Sequence, residues 1–142
     1  MRIVDGNATA PEPVHRSAGR TIWTMDSIAF GSPALRGEVI VTGSHGGTSA
    51  AEYAASYGVA VVACNDAGSG KNAAGIAGLR GLDASGIAAI GVAHDSARIG
   101  DGLDTWENGV VSFVNERGRA LGVRVGEPLK DQLVALIERE EI

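Results

Sequence analysis

The chain is predicted to be α/β: a single three-layer domain with a mainly parallel sheet and an antiparallel N-terminal edge. Three observations carry this. Apolar runs at 39–43, 59–64 and 87–92 each end in a loop of glycines and ionisable side chains; amphipathic helical patterns follow the runs; and the 142 residues suit one hydrophobic core. Alternation of this kind implies βαβ units, so the three loops gather at the carboxyl edge of one sheet, where open α/β sheets place ligands.

The first segment, 1–37, is the least periodic and holds Pro11, Pro13 and Pro33. Strand formers at 21–30 read as one or two edge strands, with a turn at Gly31-Ser32-Pro33. Strand and helix alternate over 38–126, and a C-terminal helix occupies 127–142. After the first apolar run, Ser49 and Glu52 have capping-box spacing, and the helix they open runs to Tyr57 and stops at Gly58. The next helix, with Ile76, Leu79 and Leu82 inward, is weakened by Gly75, Gly78 and Gly81, each costing about 1 kcal/mol against alanine. A third helix is expected from Asp104 and Glu107, with Val110, Val111, Val114 and Leu121 inward, to Gly122. The last begins at Pro128, and Leu129, Leu133, Leu136 and Ile137 form its buried stripe.

Seventeen acidic and 12 basic side chains give a net charge of -5, which opposes nucleic-acid binding. The lone cysteine, Cys64, cannot form an intrachain disulfide and fits a reducing, cytoplasmic setting. No apolar stretch reaches the roughly 20 residues of a membrane span, so no membrane partner is expected. Twenty-one glycines beside two each of Trp, Tyr and Phe make a core of modest area per residue. Self-association into a homo-oligomer would add to it. The glycines serve either close approach to a ligand or tight turns and helix packing.

The loops supply the candidate chemistry. In the first, Gly46 and Gly47 lead into a helix start, suiting a carboxylate or phosphate, with Ser44 beside them. His45 in its mouth is a proton carrier or a turn-stabilising histidine. Ser44 also sits in a partial nucleophile elbow in which Thr42 replaces the first glycine. In the second loop, Gly68-Ser69-Gly70-Lys71 fails as a P-loop, because Asn65 stands where the first glycine belongs and Asn72 follows the lysine. Asp66 remains as a general base or an Asx-turn carboxylate, with Asn65 and Lys71 as substrate contacts. Cys64 reads as a buried strand residue or as a thiol activated by His45.

The third loop carries His94, Asp95, Ser96, Arg98 and Asp101. Arg98 offers a planar fork for a carboxylate, or pairs structurally with Asp95 or Asp101. His94 joins His45 and Asp66 as a catalytic candidate; Ser96 is a further substrate contact. His45, Asp66, His94 and Asp95 include metal-ligating types but lack any local metal motif, so neither metal nor other cofactor is expected.

Residues 86–92, with the later Leu121-Gly122-Val123 and Val125-Gly126 ahead of the final helix, resemble the C-terminal half of the YunC-like family of small α/β proteins. The resemblance implies fold and brings no activity. That family's pattern lacks the 44–47 and 94–98 loops. The residues themselves point to a small metabolic enzyme acting on a carboxylate- or amide-bearing molecule by acid/base chemistry, whether hydrolase, lyase or isomerase. The alternative is a non-catalytic anion-binding module or accessory subunit.

Overall fold

A computed structural model describes residues 10–68, 71–140 and 142; of 71 and 72 it describes the backbone alone. Six strands form one mixed sheet in the order β1-β2-β3-β4-β5-β6: β1 (Glu12–Ser17), β2 (Arg20–Met25), β3 (Val39–His45), β4 (Val61–Asn65), β5 (Ala88–Val92) and β6 (Val111–Val114). Strands β2 to β5 are parallel, and β1 and β6 run antiparallel at the two edges. The α/β class with an antiparallel N-terminal edge is thus what the chain adopts.

Side-chain alternation along the central strands builds two cores. Val39, Val41, Val61, Ala63, Ile90 and Val92 face one side with Trp106, Leu129, Leu133, Leu136 and Ile137. Ile40, Val62, Cys64 and Ala89 face the other, with Ala54, Tyr57, Leu79 and Leu82. Helices α1 (Thr48–Tyr57) and α2 (Ala77–Gly81) cover the second face. The first is covered by α3 (Gly102–Asn108) and α5 (Leu129–Glu138), while the short α4 (Glu116–Ala120) packs beside β5 and β6.

The sequential order has a consequence for the site. Ligands in open sheets lie where strand order reverses, and here it never reverses between β2 and β5, so the crossovers linking them all lie on one face. The chain leaving β5 instead turns back across the carboxyl ends of its neighbours. Asn65 donates through Nδ2 to the Ala97 carbonyl at 3.1 Å, Gly100 donates its amide to Gly43 at 2.7 Å, and Gly102 donates to Asp26 Oδ1 at 3.0 Å. This strap delivers α3 to the face of β2 and β3. Gly43 is required beneath it, because a Cβ there would lie 2.4 Å from the Asp101 nitrogen.

Several local expectations are corrected. The helix expected from Asp104 to Gly122 is three elements: α3, β6 and α4. Gly109 leaves the helix in extended conformation, and a Cβ there would sit 2.4 Å from the Thr105 carbonyl oxygen. The β-branched residues that follow pair with β5, and Asn115 caps α4 by accepting from the Gly118 amide. Asp101, not Asp104, caps α3, accepting from the Asp104 amide at 2.9 Å. Helix α1 has Gly47 at its N-cap with no side-chain cap, so the expected box between Ser49 and Glu52 does not cap it. The start of α1 is set by packing against α2: a Cβ at Gly78 would meet the Gly47 oxygen at 2.1 Å. The expected stop at Gly58 is met by a left-handed glycine, and the α5 stripe is buried as expected, with Pro128 one residue before the helix.

Candidate functional site

The carboxyl ends of β4 and β5 stay paired to their last residues, and the Asp66 amide donates to the Val92 carbonyl at 2.8 Å. The chain then turns through two left-handed residues, Ala67 (φ 52) and Gly68 (φ 73). Asn65 and Asp66 hold that turn by accepting from the amides two positions on, each at 2.7 Å. Asp66 reaches the neighbouring loop as well. Its Oδ1 accepts from the His94 amide at 3.1 Å and lies 3.4 Å from the His94 ring Nδ1. Its Oδ2 accepts from the Ser112 hydroxyl at 2.7 Å.

The carboxylate is therefore fixed by three hydrogen bonds from three segments, and its side chain is 9% exposed. His94 is the converse, with a side chain 60% exposed. Nδ1 is the ring atom turned to the carboxylate, at 3.4 Å, so Nε2 lies on the far side of the ring. The Asp66–His94 pair thus has the parts of a general acid/base: a buried orienting anion and an accessible imidazole. Ser112 donates to the carboxylate rather than to the imidazole, so the three residues are not a nucleophilic serine triad.

Among the described residues the other predicted site residues form no hydrogen bond or ion pair with the Asp66 or His94 side chain. His45 ends β3 opposite Asn65 and is exposed, its ring folded back on Gly47, whose Cβ would lie 2.9 Å from Nε2. Among the described residues no hydrogen bond or ion pair joins His45 to Asp66 or His94. The Gly46 amide donates to the Asn65 carbonyl at 3.1 Å, and Gly47 caps α1, so the first loop spends its backbone within the fold. Ser44 Oγ accepts from the Ile28 amide at 2.9 Å. Asn65 is fully buried under the strap. Ser96 donates to the Ala93 carbonyl and accepts from the Val110 amide. The side chain of Lys71 lies outside the described residues.

Arg98 is exposed, and its backbone N–H donates to Asp104 Oδ2 at 2.8 Å. That bond, with one from Asn108 and the Arg98 charge, holds the Asp104 carboxyl below its ordinary range. Cys64 is buried on the α1 side of the sheet, and burial pushes its thiol up to about 11, against a small opposing effect of the Thr42 hydroxyl. Such a thiol is a poor nucleophile at neutral pH. Among the described residues no three His, Cys, Asp or Glu side chains gather to hold a metal ion, and no helix is long and apolar enough to cross a membrane.

Ser112 was not legible in the sequence. Its segment has the apolar spacing of a helix, and only the edge strand brings it to Asp66. No family model matches the chain, and no curated protein or solved structure matches it significantly, so none of these comparisons bears on the resemblance to the YunC-like family.

Proposed function

We propose that the protein is a small-molecule enzyme in which His94 acts as general acid/base, oriented by Asp66, on a carboxylate- or amide-bearing compound. The observation that supports this reading is the 3.4 Å approach of a buried, three-fold hydrogen-bonded carboxylate to an exposed imidazole at the carboxyl ends of adjacent parallel strands. Hydrolysis, elimination and isomerisation all use a group that takes and returns one proton. The exposed Arg98 guanidinium, on the same loop as His94, is the candidate holder of substrate negative charge. His45, exposed at the end of β3, is a second candidate proton carrier.

A second reading is favoured by the exposure of the imidazole. His94 lies open to solvent, whereas substrate sites are concave, so the same loops also suit a non-catalytic anion-binding module or an accessory subunit completed by a partner or a second copy.

A thermal-shift screen of small carboxylates and amides separates the readings. A ligand at about 100 times its Kd stabilises the native state by about 2.7 kcal/mol. In the enzyme, His94→Gln keeps that stabilisation and lowers turnover by about 10²- to 10⁴-fold. In a binding module there is no turnover, and Arg98→Ala is the change that removes the stabilisation. Stabilisation by no compound contradicts the enzyme and the anion-binding module and favours the partner-dependent accessory subunit.

A further inference from the structure

The turn between α4 and α5 carries a second set of cationic groups that shares no residue with the Asp66–His94–Ser112 cluster. Gly122 leaves α4 in the left-handed region (φ 95), Val123 is buried in the core, and Arg124 and Val125 follow, with Val125 61% exposed. A hollow of about 440 Å³ opens here, lined by Val114, Arg119, Gly122, Val123, Arg124 and Val125. Among the described residues no acidic side chain lines it. In a chain of net charge -5, a hollow whose only ionisable walls among the described residues are two arginines is a local reversal of sign.

The arginine positions are fixed by the fold. Gln132 on α5 reads both sides of the Arg124 peptide, its Oε1 accepting from the Arg124 amide at 2.6 Å and its Nε2 donating to the Arg124 carbonyl at 3.0 Å. One residue earlier, the Val123 amide donates to the Gly118 carbonyl at 3.1 Å. The backbone that carries Arg124 is thus clamped, while its guanidinium has no hydrogen bond or ion pair among the described residues. Arg119 spends one N–H on the Val114 carbonyl at 3.5 Å and keeps its others. Behind the turn, a neighbouring hollow also touches Arg124 and contains Arg139, but there Glu127 and Asp131 balance the two arginines.

We infer that the hollow between Arg119 and Arg124 binds a small organic oxyanion, with the charge on the two guanidinium groups and a short apolar body on Val125. Guanidinium forks match the paired oxygens of phosphate and carboxylate alike. The exposed valine adds a surface that a bare inorganic ion cannot use.

The test is a titration of the isotopically labelled chain with inorganic phosphate, hexyl phosphate and hexanoate, followed through backbone amide resonances at constant ionic strength. The expected result is saturable shifts at Gly122, Arg124 and Val125, with hexyl phosphate or hexanoate binding more tightly than inorganic phosphate. Which of those two binds better distinguishes a phosphate ester from a carboxylate as the ligand. Arg119→Gln and Arg124→Gln each weaken binding by about tenfold or more, whereas Arg117→Gln, on the same helix but outside the hollow, leaves it unchanged. Shifts that do not saturate, that spread over the surface, or that survive Arg124→Gln overturn the inference.

Discussion

The hydroxyl of Ser112 donates a 2.7 Å hydrogen bond to Oδ2 of Asp66, 46 residues earlier in the chain. It ties the antiparallel edge strand to the carboxylate that faces His94, so the one polar side chain that β6 sends towards the parallel strand ends supports the candidate acid/base pair. A carboxylate held at both oxygens cannot rotate away from the imidazole. That is the positioning proton transfer requires.

Removing that hydroxyl has a modest effect on stability and a specific one on position. Ser112→Ala should destabilise the fold by about 1.5 kcal/mol, the low end for a bond to a charged group, because the Gly68 and His94 amides still hold Oδ1. Urea unfolding with an unchanged slope measures this. A loss above about 4 kcal/mol would assign Ser112 a core role instead.

The strap over the strand ends makes a stronger demand. Asn65→Ala leaves the Ala67 amide and the Ala97 carbonyl without their partner, and should cost about 3 kcal/mol. Gly43→Ala drives a Cβ into the backbone at 100–101 and should cost at least as much, about 3 kcal/mol or more. Thermal unfolding of the two variants checks both values, and a near-neutral Gly43→Ala would mean that the strap does not lie on β3.

Cys64 should resist alkylation in the native protein at pH 8. Its thiol is fully buried and raised to about 11, so thiolate is scarce as well as inaccessible. Iodoacetamide labelling should track global unfolding in denaturant, and rapid labelling of the folded chain would contradict the packing of β4 against α1.

Acid sensitivity should include a contribution from Asp104. Its folded carboxyl titrates below the usual value because the Arg98 amide, Asn108 and the Arg98 charge favour the ionised form. A depressed folded value means the stabilisation is present above the unfolded value of about 3.9 and is lost as pH falls through the lower folded one. Asp104→Asn should flatten that part of the melting temperature against pH curve and leave the neutral region almost parallel to wild type. A curve of unchanged shape would remove Asp104 from the account.

The fold was legible where composition and period agreed. Val39-Ile40-Val41, Val61-Val62 and Ala88-Ala89-Ile90 read as buried parallel strands because β-branched and small residues fill both faces, and Leu129 to Ile137 read as a helix because the stripe repeats every three or four residues. Residues 104–122 misled, because Val110, Val111 and Val114 fit a helical face as well as a strand. The decision lies in tertiary contacts: Gly91 lets Phe113 sit against β5, where a Cβ would approach the Phe113 Cβ to 2.9 Å. Asp66 and His94 were legible as polar residues at strand ends. The covering of β3 and β4 by the strap was not, since it depends on a buried amide bond from Asn65 to Ala97, 32 residues apart.

His94, oriented by Asp66, is proposed to transfer protons in a reaction of a carboxylate or amide compound. The most direct measurement is conversion of a mixed library of such compounds, followed by one-dimensional proton NMR with wild type, His94→Gln and Asp66→Asn at equal folded concentration. At least one compound is expected to be converted by wild type, with the rate lowered by about 10²- to 10⁴-fold in His94→Gln and Asp66→Asn also impaired. Conversion that is unaffected by His94→Gln, or no conversion of any compound, would contradict that role for His94.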